Sequence, residues 1–295
     1  MATDALGSRA ICAVAKAAFD GGGPGEMTVQ KGEGLCIPEQ PVSGDGWVLA
    51  RNTDDDEGLV PLDYLDLHLP TVVCVLGAPG SGRSTHCASI VTQVGGTYLN
   101  ATEAMNAAVS VGSPVGEKVS DVLNQGKAVT HELYAELLKE AMGGSSGPFV
   151  VEGWPEDGPG VEALKEAGVE VTVAIALDLP EAVRSTRISE RSDVSGWDFF
   201  SAEEREASDE ELASRCKAYD TRWGTLSTAL GASGALRVVS SDCSSAQAAE
   251  AIATLLEGAA TPGWKPEGVS PTIVSVHGAP GSARSTHCAS IVSLL

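Results

Sequence analysis

Apolar and polar positions along the chain fall into two regimes, and the period changes near Thr71. Before it, short apolar stretches at 11–15, 27–29, 35–37, 47–50 and 58–67 are separated by turn signals rich in glycine and acidic residues. Several strands at such spacing predict a small all-β barrel. Beyond Thr71, strand-like runs at 72–76, 149–152, 169–177 and 236–239 alternate with helical stretches. The helices predicted are 84–94, 102–109, 115–124, 131–142, 159–167, 180–191, 209–230 and 246–256. Alternation of this kind implies a parallel sheet with helices on both faces. The glycine-serine run 143–147 reads as a loop, and the polar stretch 192–204 as a mobile insertion between two helices.

These patterns divide the chain into a multidomain array: an all-β block over 1–70, an α/β block over 71–260, a proline-containing linker over 261–271, and a tail over 272–295. The tail repeats residues 71–94, including Gly278-Ala279-Pro280-Gly281-Ser282-Ala283-Arg284-Ser285-Thr286-His287-Cys288. It reads as the start of a second α/β unit that stops after one strand and one helix. Such a pair cannot bury its own apolar face, so the tail is expected to be mobile or docked on a neighbour. Its Ala283, in place of Gly82, adds a methyl at the close-approach position, so no nucleotide is expected there.

Composition narrows the partners. With 295 residues there is room for about two domains. A formal charge of −21 argues against nucleic acid and anionic membranes, and a polyphosphate would require the basic residues to be gathered in one place. No apolar run is long enough to span a bilayer, and the patch 11–19 carries Lys16 without a basic leader, unlike a signal peptide. Seven cysteines with no C-x-x-C pair fit a reducing, cytoplasmic setting. His86-Cys87 recurs at His287-Cys288, but neighbours on a helix point apart, so a metal site is not expected there.

The candidate chemistry centres on Gly77-Ala78-Pro79-Gly80-Ser81-Gly82-Arg83-Ser84-Thr85, which follows the apolar run 72–76. Strand, glycine turn and helix start come in the order a phosphate-cradling loop needs. The glycines let backbone N–H groups curl around an anion, and the helix adds the positive end of its dipole. Every element of G-x-x-x-x-G-K-[ST] is present except the lysine, which is Arg83. A planar guanidinium keeps the charge but not the geometry of an ammonium.

Two family resemblances follow from motifs in order. Ala15 to Asp20, Glu26 to Glu33, Gly46-Trp47 and Gly58 to Leu65 together resemble an SH3 domain. The resemblance implies a groove for a proline-rich peptide or protein partner, lined by Phe19, Trp47, Pro61 and Tyr64, with Glu26 near an acidic pocket. Ala17 stands where that family usually has tyrosine. Phe19 could equally be barrel core, whereas Trp47 and Tyr64 sit beside polar turns, which favours the groove. Residues 71–258 resemble the nucleoside monophosphate kinases, adenylate kinase and UMP/CMP kinase above all, and so imply a P-loop NTPase fold. The landmarks are the loop, Leu99 to Glu103, Gly126 to Val129, Val151-Glu152-Gly153-Trp154-Pro155, Arg187 to Arg191, and Arg215.

That resemblance implies ATP or another nucleotide held by Gly77, Gly80, Ser81, Gly82, Arg83, Ser84 and Thr85, with Arg187 beside the base. It places Arg83, Arg191 and Arg215 as the catalytic cations facing phosphates and Arg205 as a further lid arginine, unless Arg205 simply pairs with neighbouring acids. Ser84 would ligate Mg2+, with Glu152 holding the metal's waters. On the acceptor side the family's arginines fall at Asn106 and Glu156. Losing two charge-assisted hydrogen bonds costs about 3 to 6 kcal/mol, or roughly two to four decades of affinity.

The expectation is therefore an SH3-containing scaffold or interaction protein whose kinase-like domain binds Mg-ATP weakly and is catalytically impaired. The alternative is a working nucleoside monophosphate kinase. Kinase-like arrays of this family occur in ciliary axonemes, which implies a cytoskeletal or ciliary setting.

Overall fold

The computed structural model describes residues 11–37, 46–52, 54, 56–68, 71–143, 147–190, 202–257, 259 and 273–274. The N-terminal part is a curled antiparallel sheet, a half-barrel, built from β1 (Ile11–Ala15), β2 (Gly34–Ile37), β3 (Trp47–Arg51), β4 (Glu57–Pro61) and β5 (Leu65–His68). Its spatial order is β4-β3-β2-β1-β5. Strand β3 shows the alternation that makes such a sheet one-sided: Val48 and Ala50 are buried, while Trp47, Leu49 and Arg51 are half-buried. The buried set, with Ala13, Ala15, Val29, Leu35, Val60 and Leu65, forms a single small core.

Two expectations for this part change. Residues 27–29 form no strand; Val29 makes an isolated bridge with Phe19. The stretch 58–67 is split, because Pro61 has no N–H to continue the ladder and a 3-10 turn, Leu62–Tyr64, redirects the chain into β5. That turn carries β5 away from β3 and onto β1.

The second sheet is parallel. Its strands are β6 (Val72–Gly77), β7 (Thr97–Asn100), β8 (Phe149–Glu152), β9 (Val173–Asp178), β10 (Leu236–Ser240) and the two-residue β11 (Ile273–Val274). They lie in the order β7-β8-β6-β9-β10-β11. The helices are α1 (Arg83–Val94), α2 (Ala101–Val111), α3 (Pro114–Asn124), α4 (His131–Met142), α5 (Gly158–Glu166), α6 (Glu181–Glu190), α7 (Ala202–Glu206), α8 (Asp209–Ala232) and α9 (Ser245–Leu255).

A sheet covered on both faces needs strands that are apolar throughout, and β6 is buried at every position. Alternate residues sort into two cores. Val72, Cys74, Leu76, Phe149 and Val151 pack with Leu138, Leu164 and Leu226 on one face. On the other, Val73, Val75, Val150 and Ile175 pack with Cys87, Ile90 and Ile252. A satellite cluster of Ala108, Val119, Leu133 and Leu137 ties α2, α3 and α4 together. Among the described residues no helix is long and apolar enough to cross a membrane.

Three further differences matter. Strand β7 was not foreseen, because Thr97 and Tyr98 are exposed and an edge strand need not be apolar. The strand expected from 169 begins only at Val173. Of the polar stretch 192–204, expected as a mobile insertion, residues 192–201 lie outside the described residues; its last residues belong to α7, and Glu204 is buried. Of the tail repeat, only Ile273 and Val274 are described, and they extend the sheet beside β10.

Candidate functional site

All strands of the parallel sheet end on one side, where ligands of such sheets collect. Strand β6 runs out at Gly77, β8 at Glu152, β7 at Asn100 and β10 at Ser240. The register sets Val75 and Asn100 on either side of Glu152. Above these ends lies a cavity of about 990 Å³.

One wall is the glycine loop. Gly80 and Gly82 adopt left-handed backbone, at φ 79° and 86°, which side chains other than glycine adopt only under strain. A Cβ on Gly77 would collide with the Ser81 side chain. Helices α2, α3, α4, α5, α8 and α9 each begin with a side-chain cap, from Asn100, Ser113, Thr130, Asp157, Ser208 and Ser244. Helix α1 begins at Gly82, which has no side chain to cap the first-turn amides. Ser81 Oγ is buried and finds no partner among the described residues.

The loop is braced from behind. Arg187 Nη1 donates to Gly80 O at 2.9 Å and to Ser241 Oγ at 3.3 Å, and Nη2 donates to Ser241 O at 2.6 Å. Ser241 Oγ in turn donates to Ser81 O at 2.7 Å. These bonds engage loop carbonyl oxygens, so the first-turn amides are what the loop offers an anion. Arg187, expected beside the base, is thus directed at the loop backbone. His86 lies under this brace, 2% exposed. Burial, and the Arg187 charge after it, push its pKa below the ordinary value.

The loop's cation has a partner of its own. Arg83 Nη2 donates to Glu204 Oε1 at 2.6 Å. Burial opposes its charge, but the carboxylates of Glu204 and Glu152 outweigh that and hold its pKa above the usual value. Glu152 is fixed from two sides: Ser84 Oγ donates to Oε1 at 2.7 Å, and the Tyr98 hydroxyl to Oε2 at 2.6 Å. Burial, then that bond, raise the Tyr98 pKa. Ser84 and Glu152 therefore bring a hydroxyl and a carboxylate together beneath the loop, an all-oxygen donor set of the kind Mg2+ takes. With the uncapped helix and the orphaned Ser81 hydroxyl, these residues fit a nucleotide polyphosphate and its metal.

Arg205 and Arg215 line the same cavity, and Arg215 also pairs with Glu211 at 2.6 Å. Arg191 lies outside the described residues. On the opposite wall, Asn106 and Glu156 face the cavity together with Tyr134 and Trp154, whose rings stack at 6.0 Å. Glu156 is not a bare charge: Arg222 of α8 donates to it. Sequence reasoning missed Arg222, Tyr98, Ser241 and the pairing of Glu204. Their partners lie 54 to 160 residues away, which leaves no local signal.

In the N-terminal sheet, the four proposed groove residues do meet. Trp47 pairs with Pro61 across the β3–β4 ladder. Phe19 stands edge-on to Trp47 at 5.7 Å and to Tyr64 at 5.4 Å. Tyr64 is 38% exposed, so the cluster is a surface feature that also packs against the core. Glu26 is turned onto its own loop, accepting from Gly22 N at 3.1 Å and Gly23 N at 2.8 Å. Compared with known proteins, residues 75–228, just over half of the chain, match the adenylate kinase family model.

Proposed function

The chain belongs to the adenylate kinase family, and from that premise we propose a nucleotide-binding, catalytically impaired kinase-like domain over residues 71–260 that serves an interaction or scaffold protein. Family membership implies ATP and Mg2+ binding in general. Gly77, Gly80, Ser81, Gly82, Arg83, Ser84 and Thr85 would receive the phosphates, and Ser84 with Glu152 the metal, which when bound draws charge from the phosphate oxygens. Arg215 and Arg205 extend this positive wall. Residues 1–70 add an SH3-like module whose Phe19, Trp47, Pro61 and Tyr64 would take a proline-rich segment.

The observation that carries the reading is the acceptor wall. Phosphoryl transfer requires both reactants to be gripped and aligned. Asn106 carries no charge, and Arg222 there is engaged by Glu156. An acceptor monophosphate would have to displace that carboxylate to gain a single cation.

The second reading, an active nucleoside monophosphate kinase, draws on the intact Ser84–Glu152 pair and on Arg215 in the cavity. A coupled assay for ADP formation from Mg-ATP with AMP, CMP or UMP separates the two, while calorimetry with Mg-ATP alone reads the donor half. Turnover well above background on any common monophosphate would replace the first reading with the second.

A further inference from the structure

Residues 202–206 read Ala-Glu-Glu-Arg-Glu, a composition that ordinarily stays in water. Glu204 does not. It is 5% exposed, lies in the cavity wall, and puts Oε1 2.6 Å from Arg83 Nη2. A carboxylate is buried at such a position only when something there compensates its desolvation. The compensation comes from the guanidinium at the start of α1, whose N-cap residue, Gly82, has no side chain to offer the first turn. Together these groups form a receptor for an anion, and the chain has supplied one.

We propose that Glu204 is an internal stand-in for phosphate. Its carboxylate holds the loop's cation while the cavity contains no polyphosphate, and an incoming triphosphate must displace α7 to reach Arg83. The inference rests on the reading of this cavity as a nucleotide site and assigns it a gate. A planar carboxylate with one charge competes poorly with a phosphate chain carrying several charges and more acceptor oxygens, yet well with chloride or a simple carboxylate. Glu204 thus sets both the affinity and the anion selectivity of the loop. Two residues beyond α7, Ser208 caps α8, the helix that carries Arg215 and Arg222. Displacing Glu204 therefore moves the entry to the helix that lines both halves of the cavity.

The test uses the full chain and inorganic tripolyphosphate with Mg2+, alongside Mg-ATP. Glu204→Gln keeps the shape and removes the competing charge. It should tighten tripolyphosphate by about tenfold in calorimetry, the equivalent of one charge-assisted bond. Glu206→Gln makes the same change in net charge at an exposed position and should leave affinity within about twofold, as surface charges do. In the unmodified protein, saturating tripolyphosphate should speed backbone amide exchange across 203–206, a readout that needs no variant to fold. Slower exchange there on binding would overturn the gate, as would Glu204→Gln binding no better than Glu206→Gln. If all three proteins bind equally, the stand-in and its gate fall together while the nucleotide reading stands. If none binds either anion at millimolar concentration, the nucleotide reading falls with it.

Discussion

The donor and acceptor walls of the cavity face each other across the same strand ends, yet they are made of different material. On the proposed donor side the groups offered to an anion are largely backbone, left-handed glycines and the first-turn amides of α1, held by side-chain bonds from Arg187 and Ser241. On the acceptor side they would have to be side chains, and the positions in question hold Asn106 and Glu156. A site made of backbone survives most substitutions, since only a change at a glycine alters it. A site made of arginines is lost when two codons change. The comparison predicts a protein that still recognises polyphosphate but cannot place a second reactant.

The sharpest way to break that comparison is to refill the acceptor wall. Turnover of the unmodified protein should stay at background, and Arg83→Lys alone should improve ATP binding without changing it. Arg83→Lys combined with Asn106→Arg and Glu156→Arg should raise ADP formation by at least ~10²-fold, the scale of one well-placed transition-state donor. No gain from the triple variant, with ATP binding intact, would place the defect elsewhere than in lost arginines.

A smaller effect tests the donor wall. Gly82→Ala copies Ala283 of the repeat into a residue at φ 86°, where a Cβ costs about 1–2 kcal/mol. Mg-ATP affinity should fall about tenfold, with a lower melting temperature. Equal affinity would mean that the loop's left-handed turn is not what holds the phosphates.

The brace beneath the donor wall predicts an acid sensitivity. The folded-state pKa of His86 lies below its ordinary 6.5, so below that pH the unfolded chain binds a proton that the native state refuses. Stability is therefore complete above about pH 6.5 and declines as pH falls, by up to about 1.4 kcal/mol per pH unit from this group. His86→Gln should flatten the denaturation profile between pH 7 and 5; an unchanged slope would assign the sensitivity to other groups. Smallest of all, Arg222→Ala removes a half-exposed pair and should cost less than about 1 kcal/mol of stability. A larger loss in the melting curve would make the Arg222–Glu156 pair a structural clasp instead of a surface contact.

What the sequence disclosed follows the same division. The glycine loop was legible because its requirements are local: a buried strand, two left-handed turns and a helix start within fourteen residues. The strands β6, β8 and β10 were legible because a two-faced parallel sheet needs unbroken apolar runs. Strand β7 was not, since an edge strand with exposed Thr97 and Tyr98 carries no such signature. Glu204 was placed at the end of a mobile polar insertion because its neighbours are charged, and its pairing is with an arginine 121 residues away. Arg222 sits on an exposed helix face with no motif around it, so only the fold reveals that it answers Glu156. The Phe19, Trp47, Pro61 and Tyr64 cluster was legible by position along the SH3-like pattern, whereas Glu26 was not, because its carboxylate closes its own glycine turn.

The missing cap on α1 has a practical consequence for anyone who heats this protein. Every other helix with a described cap has an acceptor at its own N-cap residue, whereas α1 has the Glu204 carboxylate on Arg83, with which an anion from the solution competes. Multivalent anions that bind only the native state add stability as their concentration exceeds their dissociation constant, by about 2.7 kcal/mol at a hundredfold excess. Phosphate or sulfate should thus raise the melting temperature above that in chloride at the same ionic strength, where screening of the −21 charge is matched. A melting point measured for this molecule belongs jointly to the chain and to its buffer.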